Sequence, residues 1–136
     1  MSKYLEKARA LRNAEDRHYN CAQSVLIPFA ADAGMDDDTA YRLTANFGSG
    51  MKRASVCGAI TGGLMALGLF GAEDPASVGA YYKALRERHD GLFDCAELLR
   101  VNQQRGGQKK PHCDEMVYEC VALVETILRQ SGRLAE

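Results

Sequence analysis

The chain is poor in the residues that build β-sheets. Its 136 residues include no tryptophan and only three prolines, and runs of β-branched residues are few. Because β-branched and aromatic residues are enriched in strands, little material for a sheet is present. The length is typical of one domain with its own hydrophobic core. The sequence therefore predicts a single all-α domain over residues 1–136, a compact bundle of five to six helices.

The chain also lacks an excess of charge of either sign. Its 17 basic and 18 acidic residues give a net charge of -1, without the basic excess of a nucleic-acid-binding domain. Residues 1–16 are charged throughout and contain no apolar stretch typical of a secretory signal. We therefore expect no nucleic-acid partner and a cytoplasmic location.

One segment, residues 54–72, has no charged residue at all. Its length is close to the roughly 20 residues that a helix needs to cross a bilayer. It contains five glycines, which add almost no transfer free energy: Gly58, Gly62, Gly63, Gly68 and Gly71. A helix that is apolar on all sides is also what the centre of a soluble bundle requires. The composition favours a buried central helix over a membrane span.

Caps and apolar periodicity predict the remaining helices. Asn20 and Gln23 match a capping box, which would make Cys21 the first residue of its helix. Pro28 is expected to bend or break that helix, and Asp74 and Pro75 match a cap followed by a first helical residue. Helices are expected near residues 2–16, 21–33, 37–47, 75–101 and 112–130, and the glycine-rich helix from about 55. Asp90 and Gly91 are a candidate interruption of the helix 75–101. Residues 102–111 are polar and glycine-containing, and predict a mobile loop.

The five cysteines lack the spacing of local metal or redox motifs. They are Cys21, Cys57, Cys95, Cys113 and Cys120. No CxxC is present, which excludes the zinc-ribbon and thioredoxin patterns on spacing alone. In a cytosolic protein, cysteines are more often catalytic, redox-active or metal-binding than structural disulfides. If these cysteines act together, the fold must gather them.

Three cysteines are expected at the starts of helices: Cys21, Cys57 and Cys113. A helix N-terminus presents unpaired N–H groups and a partial positive charge, which favour a thiolate and lower the pKa of the cysteine. Lys52 and Arg53 before Cys57, and His112 before Cys113, would act in the same direction. His112 is also a candidate ligand or proton acceptor. A buried cysteine that serves only as a small apolar side chain is the alternative at each position.

The other two cysteines and the glycines have different expected roles. Cys95 is expected inside a helix, and Cys120 on an apolar stripe, where it would fill space. Each glycine inside a helix costs about 0.5–1 kcal/mol relative to alanine. Close helix packing can explain Gly62, whereas Gly58 follows Cys57 and would let a metal, a cluster or a substrate approach the sulfur. We take Gly58 and Gly62 as the candidate cofactor-binding glycines.

Four segments together resemble a known family. They are "YNCAQSVL", "FGSGMKRASVCGAITGGLMALGL", "DCAELL" and "HCDEMV". In order and spacing they are similar to the redox-active proteins named after the pattern C_GCAxxG_C_C, over residues 19–128. The resemblance places the four family cysteines on Cys21, Cys57, Cys95 and Cys113, and gives Cys120 no counterpart. It implies a small helical redox protein, often encoded near transporters, so that a membrane transport system is one redox partner to consider. Covalent haem is not expected, because the chain has no CxxCH.

Three functions are compatible with these residues. In the first, Cys21, Cys57, Cys95 and Cys113 bind one metal centre, an iron–sulfur cluster for electron transfer or a zinc ion. In the second, an activated Cys57 exchanges disulfides with Cys21 and with the Cys95/Cys113 pair. In the third, the chain is a helical interaction module with core cysteines. The glycine-rich helix could also bury one face against a second copy, which would make the protein a homodimer.

Overall fold

The computed structural model describes residues 2–134, and in this range it consists of α-helices joined by short turns. There are seven α-helices in these residues: α1 (Lys3–Arg12), α2 (Cys21–Ala30), α3 (Asp37–Thr44), α4 (Gly58–Leu69), α5 (Pro75–Arg88), α6 (Cys95–Gln104) and α7 (Lys109–Gln130). Short 3-10 turns, Ala31–Ala33 and Ala45–Phe47, follow α2 and α3, and a π-type turn, Gly50–Ala54, precedes α4. The all-α prediction is confirmed, with one or two helices more than expected.

Side-chain caps fix where several of these helices begin. The side chain of Asn20 accepts a hydrogen bond from the backbone N–H of Gln23, and the Gln23 side chain accepts one from the N–H of Asn20. This capping box makes Cys21 the first residue of α2, as predicted. The side chain of Asp74 accepts a hydrogen bond from the N–H of Ser77 and so caps α5, with Pro75 as its first residue. Helix α2 continues through Pro28 to Ala30 before it tightens into a 3-10 turn.

The core forms where α2 and the glycine-rich helix α4 pack against each other and against α7. Nine of the ten residues of α2 are buried, and α2 also contacts α1 and α3. Helices α2 and α4 approach closely at Gly62. A Cβ atom added there would lie only 2.8 Å from the carbonyl oxygen of Ala22. Gly62 therefore lets the two helix backbones meet, and α2 shares the central position that was expected for α4 alone.

Several expected boundaries differ from the structure. The first helix ends at Arg12 rather than near residue 16. The glycine-rich helix begins at Gly58 rather than near residue 55, since Ser49, Met51, Lys52 and Ala54 adopt positive φ angles that end any regular helix before it. The expected helix 75–101 is two helices, because Asp90 (φ 53°) and Gly91 (φ 80°) interrupt it at the candidate break. The loop predicted over residues 102–111 covers only residues 105–108, because α6 extends to Gln104 and α7 begins at Lys109.

None of the helices within residues 2–134 has both the length and the apolar character that a membrane span requires. Helix α4 has 12 residues, or about 18 Å at the usual rise, against about 30 Å of hydrocarbon. The uncharged run therefore forms a short buried helix, as its glycine content predicted.

Candidate functional site

Four of the five cysteines line one cavity of about 120 Å³. They are Cys21, Cys57, Cys95 and Cys113, which lie near the N-terminal ends of four different helices, α2, α4, α6 and α7. The remaining wall includes Arg12, Lys109, His112 and Met116. The fold thus gathers the four cysteines that the resemblance selected, although as many as 92 positions separate them in sequence. We call this space the inner cavity.

A short antiparallel backbone pairing places Cys57 and Cys95 on the same face of two paired segments. Val56 and Asp94 form an isolated β-bridge. Around it, the N–H of Cys57 donates to the carbonyl of Phe93 at 2.9 Å, and the N–H of Cys95 donates to the carbonyl of Ser55 at 2.6 Å. Because side chains alternate between the two faces of paired strands, Cys57 and Cys95 lie on the same face. The pairing explains how two cysteines 38 positions apart reach one cavity.

Cys95 is not inside a helix, as the sequence analysis expected, but is the first residue of α6 after Asp94. The interruption at Asp90 and Gly91 releases the chain from α5 and allows the pairing with Val56. A signal for this start was present, since Asp94 and Glu97 have the spacing of a cap and its third helical residue. Conversely, Cys113 is the fifth residue of α7 rather than part of its first turn, because α7 begins at Lys109.

Cys21 and Cys113 affect each other's ionisation. A hydrogen bond from the Cys21 thiol lowers the pKa of Cys113 to about 7. The positive charges of Arg12 and Lys109 add to this effect, while burial opposes it. The same bond, together with burial, raises the pKa of Cys21. The pair therefore consists of one thiol and one sulfur that is readily ionised.

Arg12 at the end of α1 supplies the buried charge next to this pair. Only 8% of its side chain is exposed, and its Nε lies 2.7 Å from Oδ1 of Asp114. A second guanidinium nitrogen donates to the carbonyl of Tyr19 at 3.0 Å. Arg12 was not predicted as a residue of the site, because nothing in the sequence around it shows that α1 ends beside α7. Lys109 was missed for a related reason, since it was assigned to a loop.

Cys57 has the opposite electrostatic environment to the one expected. It is the N-cap of α4 rather than a residue of its first turn, and it is 6% exposed. Burial raises the pKa of Cys57 to about 11, although the backbone amides of Ala59 and Ile60 act against this shift. Lys52 and Arg53 are exposed and do not contribute to it. The expectation of a lowered pKa at Cys57 is wrong, because desolvation outweighs the helix N-terminus.

The two candidate glycines occupy different places. Gly58 lines the inner cavity, but a Cβ atom there would also lie 2.7 Å from the carbonyl oxygen of Phe47. Close packing on Phe47 is therefore one reason for a glycine at this position. Gly62 packs on Ala22 and is not part of the cavity wall.

Cys120 and His112 are the two remaining residues that were singled out from the sequence. Cys120 is fully buried next to Tyr81, and burial raises the pKa of its thiol. This agrees with its expected role as a packing residue. His112 lines the inner cavity, where burial lowers the pKa of its imidazole. A neutral His112 does not supply the positive charge that was expected beside Cys113.

Within residues 2–134, no three His, Cys, Asp or Glu side chains lie close enough together to hold a metal ion. The four cysteines share one cavity, but their sulfurs do not form a ready ligand set in this conformation. The donor chemistry of four thiols suits a soft metal or an iron–sulfur cluster, whereas the geometry of the described side chains does not fit one.

Cys113 also lies on a second, more open space, which we call the outer groove. This groove has a volume of about 350 Å³ and shares Arg12, His18, Lys109 and Cys113 with the inner cavity. Cys21, Cys57 and Cys95 are absent from its wall. Cys113 is therefore the one cysteine that lines both spaces.

The fold and the cavity define a small all-α protein in which four cysteines that are distant in sequence meet at one site. The family described as "Putative redox-active protein (C_GCAxxG_C_C)" matches residues 19–127, and the chain belongs to this family. The pattern in the family name places glycine before the second cysteine, whereas here Cys57 precedes Gly58. No curated protein and no solved structure matches the chain.

Proposed function

We propose that the protein carries out thiol–disulfide exchange, with Cys113 as the attacking thiolate and Cys21 as the resolving thiol. The observation that carries this proposal is that Cys21 and Cys113 line the same cavity, while Cys113 also lines the outer groove. A thiol with a pKa near the ambient pH is the best attacking group in such exchange. Cys113 meets this condition and Cys57 does not.

The exposure of the two cysteines supports the same order of events. Cys113 faces the outer groove, where a disulfide R–S–S–R′ can reach it, whereas Cys21 faces only the inner cavity. The Cys113 thiolate attacks one sulfur of R–S–S–R′, a mixed disulfide forms, and one thiolate leaves and takes up a proton from water. The sulfur of Cys113 in this mixed disulfide is the electrophile of the next step, and it faces the inner cavity that Cys21 also lines.

Resolution follows from the loss of the hydrogen bond that held the proton on Cys21. Once Cys113 is in a mixed disulfide, its sulfur no longer carries the negative charge that raised the pKa of Cys21. Cys21 loses its proton to water and attacks the sulfur of Cys113, which displaces the second thiol. Cys21 and Cys113 are oxidised by two electrons, and R–S–S–R′ is reduced to two thiols.

The test is to identify the cysteines that react. The reduced full-length protein is treated with the neutral reagent 2-hydroxyethyl disulfide, blocked with iodoacetamide and analysed by peptide mapping. We expect a Cys21–Cys113 disulfide in the wild type, a stable mixed disulfide on Cys113 in Cys21→Ser, and loss of rapid reaction in Cys113→Ser. Cys95→Ser is the matched control, because it removes another cysteine of the inner cavity and should leave the Cys21–Cys113 product unchanged. Rapid reaction in Cys113→Ser, or a product that joins another pair, contradicts the proposal.

A metal centre is the second candidate, and the observation that favours it is the convergence of the four family cysteines on one cavity. Cys21, Cys57, Cys95 and Cys113 would supply the four thiolates, and an iron–sulfur cluster bound there would transfer electrons. Because the sulfurs are not close enough in the described conformation, binding would require them to move together. Anaerobic purification followed by iron, zinc and acid-labile sulfide analysis separates the two candidates. Stoichiometric metal that is lost in Cys95→Ser supports the centre, and metal-free protein that still forms the Cys21–Cys113 disulfide excludes it.

A further inference from the structure

The outer groove carries an unusual surplus of positive charge beside Cys113. Its wall includes the basic side chains Arg12, Arg17, His18, Lys109 and Lys110, and no Asp or Glu of residues 2–134 lines it. Arg12 and Lys110 share the carboxylate of Asp114, at 2.7 Å and 2.9 Å. Part of the positive charge is therefore neutralised inside the protein, and part of it is not.

Arg17 and Lys109 account for the charge that is not neutralised. The guanidinium of Arg17 lies 3.9 Å from the centroid of the Tyr41 ring, which orients it without cancelling its charge. No carboxylate within the described part of the chain forms an ion pair with Arg17 or Lys109. Both residues belong to the wall that contains Cys113, so they are placed to meet anionic groups of a molecule whose sulfur reaches Cys113.

The size of the groove indicates a small molecule. A volume of about 350 Å³ falls within the roughly 300–1,000 Å³ that is usual for small-ligand sites. The groove wall also contains the apolar side chains of Leu11 and Ala14 and the ring of Tyr19. Apolar walls with a few charged groups are typical of sites that orient a small ligand.

We propose that the outer groove binds a low-molecular-weight disulfide that carries carboxylate groups and presents its S–S bond to Cys113. This inference rests on the proposed thiol–disulfide exchange and specifies its substrate class. Arg17 and Lys109 bind the carboxylates, and the apolar wall covers the carbon chain. The Cys113 thiolate attacks one substrate sulfur, the substrate S–S bond breaks, and Cys21 resolves the mixed disulfide. Both halves of the substrate leave as thiols, and Cys21 and Cys113 become a disulfide.

The experiment compares three disulfides of different charge on the reduced full-length protein. Oxidised glutathione is the anionic probe, 2-hydroxyethyl disulfide the neutral probe and cystamine the cationic probe. Release of thiol is followed by rapid quenching and chromatography, and each rate is corrected for the rate with free cysteine. We expect the anionic probe to react at least about tenfold faster than the cationic one, with a preference that falls as salt is added.

Charge variants then test which residues cause the preference for the anionic probe. Lys109→Gln and Arg17→Gln, singly and together, should lower the ratio of the anionic to the neutral rate, by about tenfold in the double variant. The ratio is used because Lys109 also lowers the pKa of Cys113, and a smaller thiolate fraction slows all three probes equally. Lys83→Gln is the matched control, since Lys83 is exposed on α5 and lines neither the groove nor the inner cavity.

The outcomes separate this inference from the function on which it depends. Equal corrected rates for the three probes, or an anionic preference that survives in the double variant, overturn the groove proposal and leave thiol–disulfide exchange standing. A wild type that reacts with none of the probes overturns both. A preference that the double variant loses and Lys83→Gln keeps supports the assignment of the groove.

Discussion

The guanidinium of Arg12 and the carboxylate of Asp114 form a nearly buried ion pair, with 2.7 Å between Nε and Oδ1. The two residues belong to α1 and α7, and are 102 positions apart. Asp114 follows Cys113 directly, so the pair fixes the start of α7 against the end of α1. It also holds a positive charge where it lowers the pKa of Cys113. One interaction thus has a structural and an electrostatic role.

Arg12→Gln should therefore affect both properties. We expect the free energy of unfolding to fall by about 3 kcal/mol, the low end for a broken buried pair, because Lys110 remains on Asp114. We also expect the pKa of Cys113 to rise, since a positive charge near the thiolate is lost. Urea unfolding measures the first effect, and the pH dependence of alkylation at Cys113 measures the second.

Lys7→Gln is the control for this prediction. It breaks an ion pair with Asp37 in which both side chains are well exposed. Such pairs contribute about 0–1 kcal/mol, and this one is not part of the cavity wall. An unchanged alkylation profile in Arg12→Gln, with stability lowered as expected, would show that Arg12 acts on packing alone.

The pH dependence of alkylation should differ sharply among the cysteines. A cysteine reacts as its thiolate, so the reaction at Cys113 should rise with pH and have its midpoint near the pKa of about 7. Cys57, whose pKa is about 11 and whose side chain is nearly buried, should react much more slowly than Cys113. Iodoacetamide labelling at a series of pH values, read by peptide mass spectrometry, measures both rates. Equal midpoints for Cys57 and Cys113 would contradict the assignment of the attacking thiol.

Two substitutions at Cys21 separate its hydrogen bond from its redox role. Cys21→Ala removes the donor that lowers the pKa of Cys113, so the alkylation midpoint of Cys113 should move upward. Cys21→Ser keeps a hydroxyl donor at the same place, and the midpoint should stay closer to the wild-type value. Neither variant can form the disulfide with Cys113. If both variants shift the midpoint equally, the hydrogen bond is not the cause of the low pKa.

Local sequence signals predicted much of the fold and part of the site. The capping box at Asn20 and Gln23 correctly placed Cys21 at a helix start, because capping depends on residues three positions apart. The burial of α4 also followed from its own composition. The family pattern selected the four cysteines that line the inner cavity.

The electrostatics of the site could not be predicted in the same way. A helix start favours a thiolate, but burial of Cys57 reverses the effect, and burial depends on neighbours from α2, α6 and α7. Arg12 and Cys113 meet only because α1 packs on α7. The place of Cys95 required the β-bridge between Val56 and Asp94, a pairing of distant segments that no local pattern contains.

Cys120→Ala should leave the chemistry unchanged and lower stability slightly. Cys120 is buried against Tyr81 and is not part of the wall of the inner cavity or the outer groove. Removal of one buried sulfur should cost about 1 kcal/mol, as for other small deletions in a core. Urea unfolding and the rate with 2-hydroxyethyl disulfide measure the two effects. A large loss of the exchange rate at unchanged stability would show that Cys120 takes part in the reaction.

Two glycines of α4 should respond in opposite directions to the same substitution. A Cβ atom at Gly62 would lie 2.8 Å from the carbonyl oxygen of Ala22, a backbone atom that cannot move aside easily, whereas nothing lies within 4 Å of a Cβ atom at Gly68. Gly62→Ala should push α4 away from α2 and lower the free energy of unfolding by about 1–3 kcal/mol. Gly68→Ala should raise it by up to about 1 kcal/mol, because alanine favours the helix. Urea unfolding of the two variants measures both values. A stabilised Gly62→Ala protein would mean that α2 and α4 do not meet as closely as the backbone distance indicates, and the burial of Cys57 at their junction would then need a different cause.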